Sequence, residues 1–186
     1  MLELNNDPFP RLNTVRLRLR RISFDDAPEL FFLRSNDGVM KYIERPRPAS
    51  LEEIKPFIEK INDMIDSNEG ISWALTLKDA PTLIGHISYH RLIKEHYRAE
   101  VGYIMHPQYY GQGIMHEALN AVLSYGFDVM GLHSVEANVN PGNQASIRLL
   151  ERNHFLREGY FRENFFWQGK FLDSAIYSLI APKKME

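Results

Sequence analysis

The sequence predicts an α+β domain built on a mixed sheet. Strand-like runs outnumber helical ones, the helical runs fall between them, and no repeat or low-complexity linker divides the 186 residues. A chain of this length fits one ordinary domain, large enough to bury a core without disulfides or a structural metal.

Each element has its own signal. In "TVRLRLRR", Val15, Leu17 and Leu19 alternate with Arg16, Arg18 and Arg20, the period of a half-buried strand whose arginines form a solvated face. "SFDDAPELFFLRSN" reads as a short helix and "SLEEIKPFIEKINDMIDSN" as a longer one. In the second, Ser50 and Glu53 have capping-box spacing, and Ile54, Phe57, Ile58, Ile61 and Ile65 share one face. Pro56 falls early in it, so its start is alternatively a short separate turn. After Gly70, "ISWALTLK", the turn-rich "DAPT", "LIGHISYHRL" and "AEVGYIMH" predict three successive antiparallel strands. From His116, the spacing of Leu119, Val122, Leu123, Phe127 and Met130 is helical, and Gly131 is placed to stop it. A strand "SVEANV", a helix "NQASIRLLERN" and two strands, "FLREGYFRENFFW" and "KFLDSAIYSLI" about Gly169, complete the chain.

Composition excludes several classes of chemistry. There is no cysteine, which removes thiol nucleophiles, cysteine zinc sites and disulfides together. A formal net charge of -2 and a pI near 6.4 give no footprint for nucleic acid. No apolar run is long enough to span a bilayer, so the expectation is a soluble, cytoplasmic protein with no membrane partner. His86 and His90 share a strand face about 13 Å apart at ~3.3 Å per residue and cannot chelate one metal. No metal site is expected.

The stretch "HPQYYGQGIMHEAL" places Gly111 and Gly113 directly before a helix. Glycine permits positive φ and close approach, and the first-turn N–H groups of a helix are unpaired and favour an anion. Together they suit a phosphate, although the same glycines also suit a plain tight turn. No Lys-Ser or Lys-Thr pair follows, so the P-loop pattern fails; position 116 is His, so the dinucleotide fingerprint fails too.

"Q-Y-Y-G-Q-G" within "EVGYIMHPQYYGQGIMHEAL" resembles the coenzyme A pyrophosphate loop of the GNAT superfamily of N-acetyltransferases, in its RimJ/RimL-like branch. The likeness continues through "VRLRLRRISFDDAPELF", "NVNPGNQASIRLLERNHFLREG" and "GKFLDSAIYSLI". It implies one GNAT-type domain over 1–186, with its core about 14–181 and a central mixed, mostly antiparallel sheet flanked by helices. It implies acetyl-CoA as co-substrate and no metal. The strand around Ile104 and Met105 would meet pantetheine. The loop from Gln108 through Gly111, Gln112 and Gly113 to the amides of Ile114 and Met115 would hold the pyrophosphate, and Asn143 would touch the pantetheine arm.

Amide formation needs an amine freed of its proton, an oxyanion stabilised and a thiolate protonated. The tyrosine that many GNAT members use as acid is missing, since Leu149 and Leu150 occupy its neighbourhood; the branch resemblance points to Ser146 instead. Glu100, on the strand entering the site, is the candidate base. Glu163 is weaker, because the family's acidic position in that region falls near Phe165. His106 and His116 flank the loop as solvent-exposed side chains or phosphate neighbours, and the resemblance puts His154 where relatives often have glycine at the helix end, a place where histidine tolerates positive φ better than a branched residue does. Phe165, Phe166 and Trp167 are expected in the core, with a groove wall as the alternative. The expected reaction moves acetyl directly from acetyl-CoA to a primary amine, first of all a peptide or protein N-terminal α-amine. A small-molecule amine acceptor and a non-catalytic acyl-CoA-binding protein are the alternatives. The protein is expected to be a monomer or homodimer.

Overall fold

The computed structural model describes residues 1–182. Its eight strands are β1 (Leu12–Asn13), β2 (Leu17–Arg21), β3 (Ile71–Leu77), β4 (Leu83–Ile93), β5 (Arg98–Met105), β6 (Ser134–Val139), β7 (Leu156–Trp167) and β8 (Lys170–Ile180). They form one sheet in the order β1-β2-β3-β4-β5-β6-β8-β7. β3, β4 and β5 are the three successive antiparallel strands expected, and among the described residues only the β5–β6 pairing is parallel. The helices are α1 (Ala27–Ser35), α2 (Asp37–Met40), α3 (Ile54–Asp66), α4 (Ile114–Asp128) and α5 (Gln144–Arg152).

Strand alternation divides the core into two layers. On one face, Ile58, Ile61 and Ile65 of α3 and Leu30 and Leu33 of α1 pack with Ala74, Leu83 and Ile104 of the sheet. On the other, Leu119, Val122 and Leu123 of α4 and Leu150 of α5 pack with Trp73, Tyr89, Val101 and Met105. Successive residues of β5 therefore look toward opposite layers: Ile104 toward α1 and α3, Met105 toward α4.

Several expectations need correction. Val15 lies before β2 and is 85% exposed; the strand begins at Leu17, because Thr14 and Arg16 are held by α4 instead. The arginines are less free than a solvated face implies: Arg16, Arg20 and Arg21 pair with Glu117, Asp26 and Asp66. Ser50 makes no side-chain cap. Glu53 accepts instead from the Ala49 N–H at 2.9 Å, and a 3₁₀ turn over Leu51–Glu53 leads into α3, the alternative that Pro56 raised. Phe165 and Phe166 are 38% and 60% exposed rather than core, since β7 is an edge strand with no layer over it.

The seam between α4 and β4 is fitted around Gly126. The Tyr89 hydroxyl donates to the Val122 carbonyl at 3.0 Å, and a Cβ on Gly126 would stand 2.5 Å from that hydroxyl. Gly126→Ala should cost about 1–3 kcal/mol in urea denaturation, as overpacking does. Tyr89→Phe should recover part of that loss in the double variant, and strict additivity would show that the clash is not the cause.

Candidate active site

The site starts where two strands part. β5 and β6 pair only as Arg98↔Ser134, Ala99↔Val135 and Glu100↔Glu136. Beyond that row β5 continues along β4 to Met105, while β6 continues along β8 to Val139. Each strand keeps its outer neighbour, so the inner edges open into a cleft with Glu100 at its apex. Backbone groups of Val101–Met105 on that edge have no strand partner, although buried main-chain polar groups demand one. The cleft belongs to a cavity of about 1970 Å³ that also reaches Gly111, Gly113, Asn143 and Ser146.

At the open end, β5 runs into a 3₁₀ turn over Pro107–Tyr109 and then the glycine loop. Gly111 and Gly113 sit at φ 74° and 72°, the left-handed region where a side chain is strained. No atom lies within 4 Å of a Cβ placed on Gly111, and the nearest to one on Gly113 is Arg16 Nη2 at 3.6 Å. Backbone conformation, rather than crowding by the protein, calls for glycine here. Gly113 caps α4, whose first internal bond runs from the Glu117 N–H to the Gly113 carbonyl. The amides of Ile114 and Met115 are thus left over at the positive end of the helix dipole. The Met115 side chain is buried in the core, which accommodates its bulk without blocking that amide.

An acidic residue in this first turn would repel an anion, and the fold neutralises it. Glu117 accepts from the Thr14 hydroxyl, from the Arg16 N–H at 2.8 Å and from Arg16 Nε at 2.6 Å. Burial pushes the Glu117 carboxyl up, but these bonds outweigh it and hold it below the usual carboxylate range. Arg16 Nη1 also donates to the Gln112 carbonyl at 2.9 Å, strapping the loop to the β1–β2 turn. Gln112 Nε2 donates to the Gln108 carbonyl at 2.8 Å, and the Gln108 N–H donates to His106 Nδ1 at 3.2 Å. His106 is therefore a brace, stacked on Phe32 at 4.5 Å, rather than a free phosphate neighbour. Thr14, Arg16 and Glu117 carried no signal in the sequence, because their contact spans about a hundred residues.

The two candidate catalytic side chains approach from opposite layers. On the α4–α5 side, Asn143 caps α5 by accepting the Ser146 N–H at 3.1 Å, and Ser146 Oγ lies 2.7 Å from the Tyr103 hydroxyl. Tyr103 is a site residue that sequence reasoning missed. On the α1–α3 side, Glu100 has Arg91 Nη1 at 2.9 Å and His90 Nε2 at 3.4 Å. His90 can lie there because residue 102 is glycine: a Cβ would come within 2.9 Å of its ring. Arg91 reaches Glu100 from a bulge, with φ 51° and its side chain largely exposed. Burial raises the Glu100 carboxyl, but His90 and Arg91 outweigh it and leave it below its ordinary range. It is ionised at neutral pH and already doubly engaged.

The groove continues over the α1–α3 face past His86, Ser88, Phe57 and Tyr42, and on its far wall reaches Phe165 and Asp173. Phe165 thus takes the groove-wall alternative, while Glu163 is exposed at φ 52°, its N–H donating to Asp173 at 2.8 Å. His154 adopts φ 65° at the end of α5, as expected. Among the described residues no group of three or more His, Cys, Asp or Glu could hold a metal. No described helix is long and apolar enough to cross a membrane.

Comparison with known proteins meets this geometry. Residues 16–156 match the family described as the acetyltransferase (GNAT) domain. An uncharacterized N-acetyltransferase of Bacillus subtilis (strain 168), YoaA, is 36% identical over 95% of this chain and 99% of its own. The [ribosomal protein uS5]-alanine N-acetyltransferase of Escherichia coli (strain K12) is 27% identical, over 96% of this chain and 94% of its own. Spermidine N-acetyltransferase from Vibrio cholerae, solved in complex with CoA and spermine, superposes with a TM-score of 0.78 at 25% identity, covering 89% and 95% of the two chains.

His86 gives the groove a measurable pH signature. Burial, with the nearby charges of Arg34 and His90, pushes its imidazole from 6.5 down to about 4. Between those values the unfolded chain binds a proton that the folded chain does not. The His86 contribution is intact above pH 6.5 and is lost as pH falls toward about 4, by up to ~1.4 kcal/mol per pH unit. Urea denaturation of His86→Leu at pH 7 and 4.5 should show a smaller loss than wild type; equal losses would assign the acid sensitivity elsewhere.

Proposed function

The chain belongs to the GNAT acetyltransferase family, in its RimJ/RimL-like branch, and we propose that it transfers acetyl directly from acetyl-CoA to the N-terminal α-amine of a peptide or protein. The observation that carries this reading is the continuity of the β5–β6 cleft with the glycine loop: main-chain donors line both, as a long flexible arm ending in a pyrophosphate requires. The coenzyme supplies the activated acetyl thioester. In this reading the amides of Gly111, Gly113, Ile114 and Met115 hold the pyrophosphate, and the Gln108–Gln112 bond keeps the loop in shape. Main chain at Ile104 and Met105 takes the pantetheine and stabilises the oxyanion, and Asn143 sits beside the arm.

Ser146 offers a hydroxyl to the departing sulfur. Glu100, held by Arg91 and within reach of His90, is a weak base and acts through a water that relays the amine proton rather than by direct abstraction. An α-amine suits so mild a base. Its pKa near 8 leaves a useful neutral fraction at pH 7, whereas lysine near 10.4 leaves little. The acceptor end favours a peptide over a polyamine, because the groove carries Arg34, Arg45 and Lys60 among its acids instead of a uniformly acidic lining.

Three measurements test this. Mass mapping of acetylated products from N-terminal peptides, lysine-containing peptides and spermidine should find α-amine modification, and Glu100→Gln should lower kcat/KM about 10²-fold or more on the same peptide. Modification only of lysine or polyamine would overturn the acceptor assignment; an unchanged Glu100→Gln would overturn the base. In calorimetry, Gly113→Asp should bind acetyl-CoA at least ~10-fold more weakly, while Gly113→Asn, which tolerates positive φ without adding charge, loses less. Equal affinity in all three proteins would remove the pyrophosphate from this loop.

A further inference from the structure

We propose that Tyr103 is a positioning residue for the leaving group: its hydroxyl donates to Ser146 Oγ and thereby aims the Ser146 proton into the cleft, at the coenzyme sulfur. The inference rests on the reading that Ser146 faces that sulfur. It answers a gap in the sequence, where Leu149 and Leu150 stand in place of the tyrosine many GNAT members carry on this helix. Here a phenol arrives from β5 instead, 43 residues away in the chain, and meets α5 across the cleft at 2.7 Å.

The direction of the hydrogen bond follows from what each hydroxyl can otherwise do. Both groups carry one proton and can accept. The Tyr103 ring is half-buried against the larger core layer, and among the described residues Ser146 is the one hydrogen-bond partner of its hydroxyl. A desolvated O–H without an acceptor forfeits a full bond, whereas an unused lone pair forfeits less. Tyr103 therefore donates. Ser146 is then an acceptor toward Tyr103, and its own proton must go elsewhere. The common escape for a helical serine is a bond back to its own helix, and Ser146 makes none among the described residues. The Asn143 cap holds the turn in place, so the remaining direction is the cavity that both Tyr103 and Ser146 line.

Two consequences follow for the chemistry. A hydroxyl that accepts one bond is polarised and donates a stronger one, so the pair outperforms serine alone. The phenol also keeps its polarity: burial, eased slightly by Ser146, holds it up at about 12, so it stays a donor throughout the working pH range. As the nitrogen–carbon bond forms and the carbon–sulfur bond breaks, the electron pair goes to sulfur. Ser146 stabilises it by hydrogen bonding, and the sulfur gains one proton for the one the amine releases.

The test reads the sulfur without needing an acceptor. Coenzyme A bound to the protein is titrated by its thiolate ultraviolet absorbance in wild type, Tyr103→Phe, Ser146→Ala and Ser146→Thr. The wild-type thiol should titrate below that of free coenzyme A measured in the same buffer, and Tyr103→Phe and Ser146→Ala should each raise it by about one unit. Ser146→Thr, which keeps the hydroxyl, should stay near wild type. With a peptide acceptor, Tyr103→Phe should lower kcat about tenfold while KM for acetyl-CoA holds. An identical thiol titration in wild type and Tyr103→Phe overturns the inference even if kcat falls, since the ring would then matter only for packing. A wild type that binds no coenzyme A overturns it together with the proposed function. Shifted thiol titrations with no peptide acetylated leave the inference standing and remove only the peptide acceptor.

Discussion

The arrangement depends on the failure of two parallel strands to stay paired. After Glu100↔Glu136, β5 follows β4 and β6 follows β8, and no interaction pulls the inner edges together again. In an ordinary sheet the exposed main chain would be a defect. Here it is a row of donors and acceptors inside a cavity, suited to a long, flexible, amide-bearing arm. The apex places Glu100 on one face and the alternation of β5 places Tyr103 on the other, so the proposed base and the proposed Tyr103–Ser146 pair approach the cleft from opposite faces of the strand.

The glycine loop extends this seat, and its electrostatics are arranged at a distance. A helix start attracts an anion only if nearby negative charge is cancelled. Arg16 and Thr14 do that for Glu117, and the same Arg16 ties down the Gln112 carbonyl, so one arginine sets both the charge and the shape of the loop. Over the α1–α3 face the engaged Glu100, the neutral His86 and the basic Arg34 make a mildly polar groove rather than a strongly charged one.

The class of fold, the order of elements and the loop were legible because they rest on local patterns: alternation, helical spacing and paired glycines. What was not legible depends on partners far away in the chain. Val15 fits the strand's alternation, yet the Thr14 and Arg16 contacts with Glu117 hold the preceding turn apart from the sheet. Phe165 and Phe166 have the composition of core residues, and only the place of β7 at the sheet edge leaves them open. Tyr103 carries no local mark that its hydroxyl meets Ser146. The missing helix tyrosine was visible, while its counterpart on another element was not.

The central claim is that the parted strands and the glycine loop form one continuous seat for the coenzyme. Amide hydrogen exchange, resolved by peptide and measured with and without coenzyme A, addresses it most directly. The account predicts slowed exchange in two segments together, Val101–Met105 and Gly111–Met115, with the β7–β8 hairpin unchanged. Protection of the loop without the strand, or protection centred on the hairpin, would contradict it.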